Sequence, residues 1–280
     1  MNNKITIVTP SLNQGKFIER AIKSVLSQKG DFFIDYIIAD GGSIDNSVEI
    51  IRKYDDLLKE KKYSIGCSGI DFKWWSMSDK GQSDAINQGL KIAKGDILAW
   101  INCDDYYEPG AFEFIMKKFK ENPDIDLIYG DCYQIKMGSE KSILKPEKIN
   151  FDKMLNTGYQ LDQPAVFFTK RILDKVGLLD EGLHYAMDFD LWLKILKTGK
   201  TLYVPKALAT FELWSECKGI KYEKRFSVET RKVCRKYDKN FLSKRNVSMF
   251  LGKFGIVKYF KIKSPKCYQL CKNCVLFFYH

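Results

Sequence analysis

The sequence predicts an α/β protein: a mostly parallel sheet flanked by helices, followed by a basic, helical C-terminal extension. Within the first hundred of its 280 residues, short apolar and β-branched runs alternate with segments in which apolar residues recur at helical spacing. Strands that alternate with helices are typical of parallel sheets with right-handed crossovers. Three of the predicted strands end in polar or acidic residues. Because ligands bind at the carboxyl ends of parallel strands, a binding site is expected at that edge.

The first half of the chain supplies four strands and three helices. The strands are predicted over residues 5–8, 36–39, 72–76 and 96–101. The helices are predicted over residues 15–28, from about residue 45, and over residues 83–93. Pro10 is expected to end the first strand, and Gly95 to end the third helix. Asp45 or Ser43 is expected to cap the second helix.

After Pro109 the alternation becomes less regular. Further strands are predicted over residues 127–133 and 164–169. Further helices are predicted over residues 111–120, from residue 170, over residues 186–198 and near residues 224–237. From about residue 216 onward the chain is basic and rich in aromatic residues.

The charge of the chain restricts its partners. The formal net charge is +11, and between residues 218 and 272 the only acids are Glu223, Glu229 and Asp238. Such a balance suits nucleic acid, an anionic membrane surface or a phosphorylated substrate. No recognised nucleic-acid-binding motif is present, so nucleic acid is not expected. No apolar run is long enough to span a bilayer, and residues 4–9 indicate a strand rather than a leader.

The cysteines indicate a reducing compartment, because eight of them occur without a secretory signal. Three of them, Cys267, Cys271 and Cys274, have the spacing C-x3-C-x2-C. Completed by Cys234, these thiolates could bind a metal. The alternative interpretation is semi-buried thiols on an amphipathic tail.

The adjacent acids Asp104 and Asp105 directly follow the predicted strand 96–101. Neighbouring carboxylates repel each other and resist burial, unless a divalent cation lies between them and the phosphates of a ligand. The alternative is a solvated turn that closes the strand, since Pro109 and Gly110 follow shortly.

Two other strand ends carry polar residues. The first strand leads into Pro10, Ser11 and Asn13, and the second ends at Asp40, followed by two glycines. A carboxylate at the position of Asp40 can accept from the N–H of a base or from a ribose hydroxyl, while glycines permit a tight turn. An ordinary turn or helix-cap acid is the alternative.

The segment leading into the third helix suits a diphosphate. It contains Asp79, Lys80, Gly81 and Asp84, and backbone amides at a helix N-terminus attract anions. The alternative is a well-capped helix with a solvated lysine. Neither G-x-x-x-x-G-K-[ST] nor G-x-G-x-x-G occurs, so neither a P-loop ATPase nor a dinucleotide oxidoreductase is indicated.

Asp188 and Asp190 open the predicted helix 186–198. Two residues correspond to about 200° of rotation, so these acids cannot face the same site. Asp188 shares its face with the apolar residues Leu191 and Trp192, which predicts a raised pKa and a general base. Alternatively, both acids simply complement the helix dipole. Gln163, His184 and Trp192 are candidate acceptor-binding residues.

Taken together, these motifs resemble glycosyltransferase family 2, over roughly residues 4 to 200. The resemblance is carried, in order, by residues 5–13, 39–43, 79–87, 102–105 and 188–192. It implies the GT-A fold and inverting transfer of a sugar from a nucleoside diphosphate. It also divides the chain into a nucleotide-sugar-binding half (residues 1–108), an acceptor-binding half of the same domain (109–215) and a basic aromatic tail (216–280).

The resemblance also implies roles for single residues. Pro10, Ser11 and Asp40 match the positions that hold the nucleoside. Asp105 matches the ligand of Mn²⁺ or Mg²⁺, with Asp104 nearer the ribose or sugar, and Asp188 matches the catalytic base. The chain departs from the family pattern at three positions, which are occupied by Leu12, Gly41 and Met187.

The implied activity is the addition of one sugar, because the Gln-x-x-Arg-Trp motif of processive synthases is missing. The expected acceptor is a hydroxyl of a lipid-linked glycan for a surface polysaccharide. We expect a cytoplasmic protein, peripheral on the inner face of the membrane, whose tail lies on anionic headgroups. The alternatives are an inactive sugar-nucleotide-binding or glycan-binding protein of the same fold and, further away, a basic nucleic-acid-binding protein.

Overall fold

A computed structural model describes residues 3–136, 139–159, 161–214 and 217–237. The strands are β1 Lys4–Ser11, β2 Lys29–Asp40, β3 Gly66–Ser76, β4 Ile97–Trp100, β5 Tyr106–Tyr107, β6 Leu127–Lys136, β7 Ser142–Leu144, β8 Val166–Thr169 and β9 Thr201–Leu213. The helices are α1 Ile18–Leu26, α2 Ser47–Lys59, α3 Gln82–Lys91, α4 Ala111–Glu121, α5 Phe151–Thr157, α6 Lys170–Val176, α7 Met187–Thr198, α8 Lys218–Lys221 and α9 Glu223–Tyr237.

One mixed sheet runs through both predicted halves of the chain. Its order is β3-β2-β1-β4-β8-β6-β9-β5, with β7 paired to β6. The first four strands in this order are parallel, which confirms the prediction from the alternating pattern. Beyond β4 the sheet is mixed, because β8 runs antiparallel to both β4 and β6 whereas β6 and β9 are parallel. The carboxyl ends of the four parallel strands β3, β2, β1 and β4 therefore lie at the same edge of the sheet.

Strand alternation sends side chains into two apolar layers, one on each face of the sheet. Ile7 of β1 packs into the layer that α1, α2 and α4 cover. Its neighbour Val8 packs into the layer formed with α3, α5, α6, α7 and α9. Helix α9 belongs to this second layer through Val233 and Cys234, which are fully or almost fully buried. None of the described helices is long and apolar enough to cross a bilayer.

The expectation that Pro10 ends the first strand is wrong, since β1 continues to Ser11. The amide of Ile101 donates to the carbonyl of Val8, so even-numbered residues of β1 face β4. Strand β4 ends at Trp100, which leaves no strand beside Pro10 on that side. The missing N–H of this proline therefore breaks no ladder hydrogen bond.

Some other boundaries also differ from the prediction. Strands β5, β7 and β9 and helix α5 were not predicted, and α1 begins three residues later than expected. Helix α3 ends at Lys91, before Gly95. At the start of α2 the capping position is Asn46, and the carboxylate of Asp45 accepts from the Ser47 amide at 2.9 Å.

Candidate functional site

A cavity of about 710 Å³ opens at the carboxyl ends of the parallel strands. The loops after β1 and β4, the start of α3, the start of α7 and helix α8 form its wall. Nine of the predicted site residues border it: Pro10, Ser11, Asp79, Gly81, Asp104, Asp105, Gln163, His184 and Asp188.

The predicted meeting of the strand ends is present in the structure. The Ser11 hydroxyl donates to Asp40 at 2.9 Å, and the Gly41 amide donates to the Ser11 carbonyl at 2.8 Å. From the loop after β4, the Cys103 thiol donates to the carbonyl of Pro10 at 3.3 Å. Three strand ends that are far apart in sequence therefore form one surface.

Asp40 lies beneath this surface rather than in the cavity wall, with 1% of its area exposed. Its carboxylate accepts hydroxyl hydrogen bonds from Ser11, Ser43 and Ser76. Burial raises the pKa of Asp40, but the hydrogen bonds from Ser43, Ser76 and Ser11 outweigh burial and hold the pKa below its ordinary value. The oxygens of Asp40 are thus already used to shape the loops after β1 and β2.

Three further candidates for donor binding lie outside the cavity wall. Asn13 adopts a left-handed conformation (φ 53°), and its side chain accepts from the amide of Ile44 at 2.9 Å. The carboxylate of Asp84 accepts from the backbone amide of Lys80 at 3.0 Å. Asp84 therefore holds the loop before α3, whereas no side chain caps the helix itself at Gly81.

The acidic pair occupies the floor of the cavity. Asp105 is 1% exposed and accepts from the Glu212 amide at 3.3 Å and from Asn102 at 3.4 Å. Burial and the charge of Asp104 raise the pKa of Asp105 well above its ordinary value. Asp104 accepts from the indole N–H of Trp214 at 3.0 Å, and its carbonyl accepts from Arg20 at 2.8 Å. The loop is therefore clamped from two sides.

These two carboxylates fit a divalent cation. They are hard oxygen donors, and a cation would compensate the buried charge of Asp105. Within the described ranges no group of three or more His, Cys, Asp or Glu residues could hold a metal alone. A cation bound here would therefore take most of its ligands from diphosphate and water, as Mg²⁺ does in phosphate sites.

The two acids of α7 have opposite environments, as their spacing predicts. Asp188 borders the cavity, and one of its oxygens accepts from the amide of Phe189 at 2.7 Å. Burial raises the pKa of Asp188 to about 6. Asp190 is fully buried on the other side, paired with Lys194 at 2.7 Å and Lys236 at 3.3 Å. Only Asp188 is available to a substrate.

Trp192 is not in the cavity wall, contrary to the expectation of an acceptor contact. It is fully buried and stacks on Trp100, with ring centroids 5.2 Å apart and planes 15° apart. It also contacts the ring of Phe168 edge-on at 5.7 Å. The aromatic stripe of α7 is core, whereas Gln163 and His184 do border the cavity.

Comparison with known proteins decides the family. The model of the family described as Glycosyl transferase family 2 matches residues 6–175, more than half of the chain. The chain belongs to glycosyltransferase family 2. An uncharacterized glycosyltransferase of Rickettsia typhi is 26% identical to it over 212 residues, which are 71% of this chain and 60% of that protein.

Solved structures confirm the GT-A fold of this family 2 chain. Staphylococcus aureus TarS (residues 1–349) in complex with UDP-GlcNAc has a TM-score of 0.62 at 16% identity and covers 82% of this chain and 65% of that one. The mannosyltransferase PcManGT from Pyrobaculum calidifontis, in complex with GDP-Man and Mn²⁺, has a TM-score of 0.58 at 13% identity. It covers 98% of this chain and 80% of that one.

Sequence reasoning did not predict one row of hydrogen bonds that crosses the cavity of this family 2 chain. The Lys218 ammonium donates to Gln82 at 2.6 Å, and Gln82 donates to Asn102 at 2.7 Å. Asn102 contacts Gln163 at 3.4 Å, and Gln163 donates to the carbonyl of Trp100 at 2.8 Å. This amide relay joins α8 to the floor of the cavity. Gln82 and Asn102 lay in segments that the sequence had singled out, and Gln163 was a predicted acceptor-binding residue, so Lys218 is the residue that was missed.

A second missed residue is Asp162, which borders the cavity beside Gln163. Burial raises the pKa of Asp162 to about 6. Asp162 is the capping residue of the short 3₁₀ turn Gln163–Ala165, but its side chain accepts no capping hydrogen bond there. Among the described residues no side-chain hydrogen bond to this carboxylate is present, so a ligand could use it.

The remaining predictions for the tail concern residues outside the described part of the chain. They are the possible metal site at Cys267, Cys271 and Cys274 and the membrane-associating role of the basic, aromatic tail (residues 216–280) for its part beyond residue 237. The possible fourth ligand, Cys234, is a described residue, and its thiol is buried in α9.

Proposed function

We propose that this chain transfers one sugar, with inversion, from a nucleoside-diphosphate sugar to a hydroxyl of a glycan acceptor. One observation carries the proposal: Asp105 and Asp188, on elements more than eighty residues apart, border the same cavity. Direct displacement needs a base on the acceptor side and charge stabilisation on the leaving-group side. Asp188 would supply the base, and Asp105 would hold the cation that stabilises the leaving group.

On the leaving-group side, Asp105 with Asp104 would hold Mn²⁺ or Mg²⁺. The cation would stabilise the negative charge that develops on the leaving diphosphate. Gly81 and Gln82 bring the N-terminus of α3 to the cavity, where the positive end of the helix favours an anion. Lys218 adds a positive charge to the same wall. Pro10 and Ser11 border the nucleoside end.

On the acceptor side, Asp188 would accept the proton of the attacking hydroxyl. With a pKa of about 6 it is ionised at neutral pH and yet more basic than an ordinary aspartate. Met187 rather than a second acid precedes it, which keeps its surroundings apolar. A wall of Tyr185, Phe226 and Trp214 offers faces on which sugar rings stack.

The comparisons support a nucleotide-sugar donor without deciding between bases. TarS is in complex with UDP-GlcNAc and PcManGT with GDP-Man and Mn²⁺. We propose a lipid-linked acceptor for a surface polysaccharide, met at the cytoplasmic face of the membrane. The basic and aromatic composition beyond residue 238 supports this membrane location.

A ligand screen tests the proposal. Melting temperature is measured with UDP, GDP, UDP-GlcNAc and GDP-mannose, each with and without Mn²⁺. A ligand at about 100 times its Kd stabilises by about 2.7 kcal/mol. Asp105→Asn should lose the part of the shift that depends on Mn²⁺. Asp174→Asn, an exposed acid on α6, is the matched control and should keep it.

Two results would contradict the proposal. An equal Mn²⁺-dependent shift in wild type and Asp105→Asn would remove Asp105 as the cation ligand. Binding without release of nucleoside diphosphate, in the presence of bacterial lipid-linked glycan extracts, would favour the alternative of an inactive binding protein.

A further inference from the structure

The carboxylate of Glu229, on α9, holds the backbone that leads into α7. It accepts from the amides of His184 at 3.1 Å, Tyr185 at 2.7 Å and Ala186 at 3.0 Å. Ala186 is the capping residue of α7. Its own side chain cannot accept a hydrogen bond, so it does not cap the helix. Amides at a helix start need partners from elsewhere. Here a different helix supplies one acceptor for the amide of the capping residue and for the two amides before it.

Helix α9 is fixed against α7 at further points. Val233 is fully buried in the same apolar layer as the α7 stripe. Lys236 pairs with Asp190 of α7 at 3.3 Å and with Asp180 at 2.8 Å. Near the cavity, Arg225 donates to the hydroxyl of Tyr185 at 3.2 Å. Glu229 therefore lies between a hydrogen bond on its N-terminal side and buried packing and ion pairs on its C-terminal side along α9.

Asp188 depends on the backbone that Glu229 holds. It follows Ala186 by two residues, in the first turn of α7. Within the described part of the chain its carboxylate has one hydrogen bond, from the next amide of its own helix. Among the described elements other than α7, none donates a hydrogen bond to this carboxylate. Where the first turn lies consequently decides where the carboxylate points.

We propose that Glu229 is a positioning residue for Asp188, because its carboxylate fixes the start of α7 in the cavity wall. The catalytic consequence rests on the proposed function of Asp188 as base. The sequence had assigned Glu229 to a basic tail, and this contact makes α9 part of the site.

The charge of Glu229 has a second effect on Asp188. The N-terminus of a helix carries a positive partial charge, which lowers the pKa of a nearby acid. A carboxylate at that point opposes the effect. Replacing it with a neutral amide should therefore lower the pKa of Asp188. The other titratable groups that border the cavity are not substituted in such a variant: Asp79, Asp104, Asp105, Asp162, His184 and Lys218.

The first test titrates Asp188 directly and needs no substrate. The carboxyl carbon is followed by NMR in protein labelled with [¹³C]aspartate and assigned with Asp188→Asn. In Glu229→Gln the titration midpoint should fall by about 0.5 pH unit or more, within the range of helix-terminus effects. Glu49→Gln, an exposed acid on α2, is the matched control and should leave it unchanged. An unchanged midpoint in a folded Glu229→Gln protein would overturn the proposal.

Activity and amide exchange complete the test. Glu229→Gln should bind UDP or GDP with Mn²⁺ as wild type does, yet release nucleoside diphosphate about five-fold or more slowly, with partial rescue by Glu229→Asp. In the wild-type protein the amides of residues 184–186 should be protected about 100-fold from hydrogen exchange. Free exchange would refute the contact even if every variant failed to fold. If wild type transferred no sugar, the proposed function would fail, while titration and exchange would still decide the role of Glu229.

Discussion

Replacing Asp188 with Asn should abolish transfer and at the same time stabilise the protein above neutral pH. Burial raises the pKa of this group from 3.8 to about 6. Two units correspond to about 3 kcal/mol, an upper limit that we reduce to about 1–2 kcal/mol because the side chain borders an open cavity. The folded state binds the proton more tightly than the unfolded state. The charged carboxylate therefore costs stability, fully above pH 6 and not at all below about pH 4.

Asparagine removes the charge and keeps an oxygen for the hydrogen bond from Phe189. Urea denaturation should thus show Asp188→Asn to be more stable than wild type at pH 8, with the difference vanishing near pH 4. Nucleoside diphosphate release should fall by about 100-fold or more, the usual value of a general base. Asp174→Asn serves as control for both measurements. A difference in stability that is the same at pH 4 and pH 8 would refute the reasoning, and so would wild-type turnover.

Three other substitutions test separate parts of the structure. Asp190→Asn leaves two lysines without their buried partner and should lower the free energy of unfolding in urea by about 1–3 kcal/mol; an unchanged midpoint would contradict the ion pairs. Asp162→Asn should raise the KM for the acceptor about ten-fold and leave the affinity for UDP or GDP unchanged. A lower affinity for UDP or GDP would instead place this acid on the donor side. Gly89→Ala puts a Cβ 2.6 Å from Val8 Cγ1 and should cost about 1–3 kcal/mol in urea despite its better helix propensity, and a gain in stability would contradict that close packing.

The part of the fold that could be predicted is the part with strong local patterns. Strands β1, β2 and β4 each contain a short apolar or β-branched run, and the helices α1 and α3 have regular apolar stripes, although β2 begins seven residues before the predicted residues 36–39. Strand β9 was not predicted because Pro205 and Lys206 interrupt its apolar residues. Its register with β6 also shifts twice, which removes a regular alternation of apolar and polar side chains. Helix α5 has only seven residues, too few for a helical period to emerge.

The site divides in the same way. Asp105 and Asp188 could be predicted, since each stands next to a strong element in its own segment. Lys218 could not, because its partner Gln82 lies 136 residues earlier and nothing local distinguishes this lysine from its basic neighbours. Glu229 was hidden for the same reason, as its contacts with residues 184–186 exist only after α9 has packed on α7.

The amide relay that starts at Lys218 has a fixed direction. An ammonium group only donates, so Gln82 must turn its oxygen to it and its nitrogen to Asn102. The same reasoning then orients Asn102 and Gln163 in turn, down to the carbonyl of Trp100. Rotating the amide of Asn102 by half a turn, for example, would place its oxygen against the oxygen of Gln163 and its NH₂ against the NH₂ of Gln82. The side chains of this row can therefore change in the course of evolution only together. An ionised acid in place of one amide would have no N–H to donate to the next oxygen, so the other amides would also have to change.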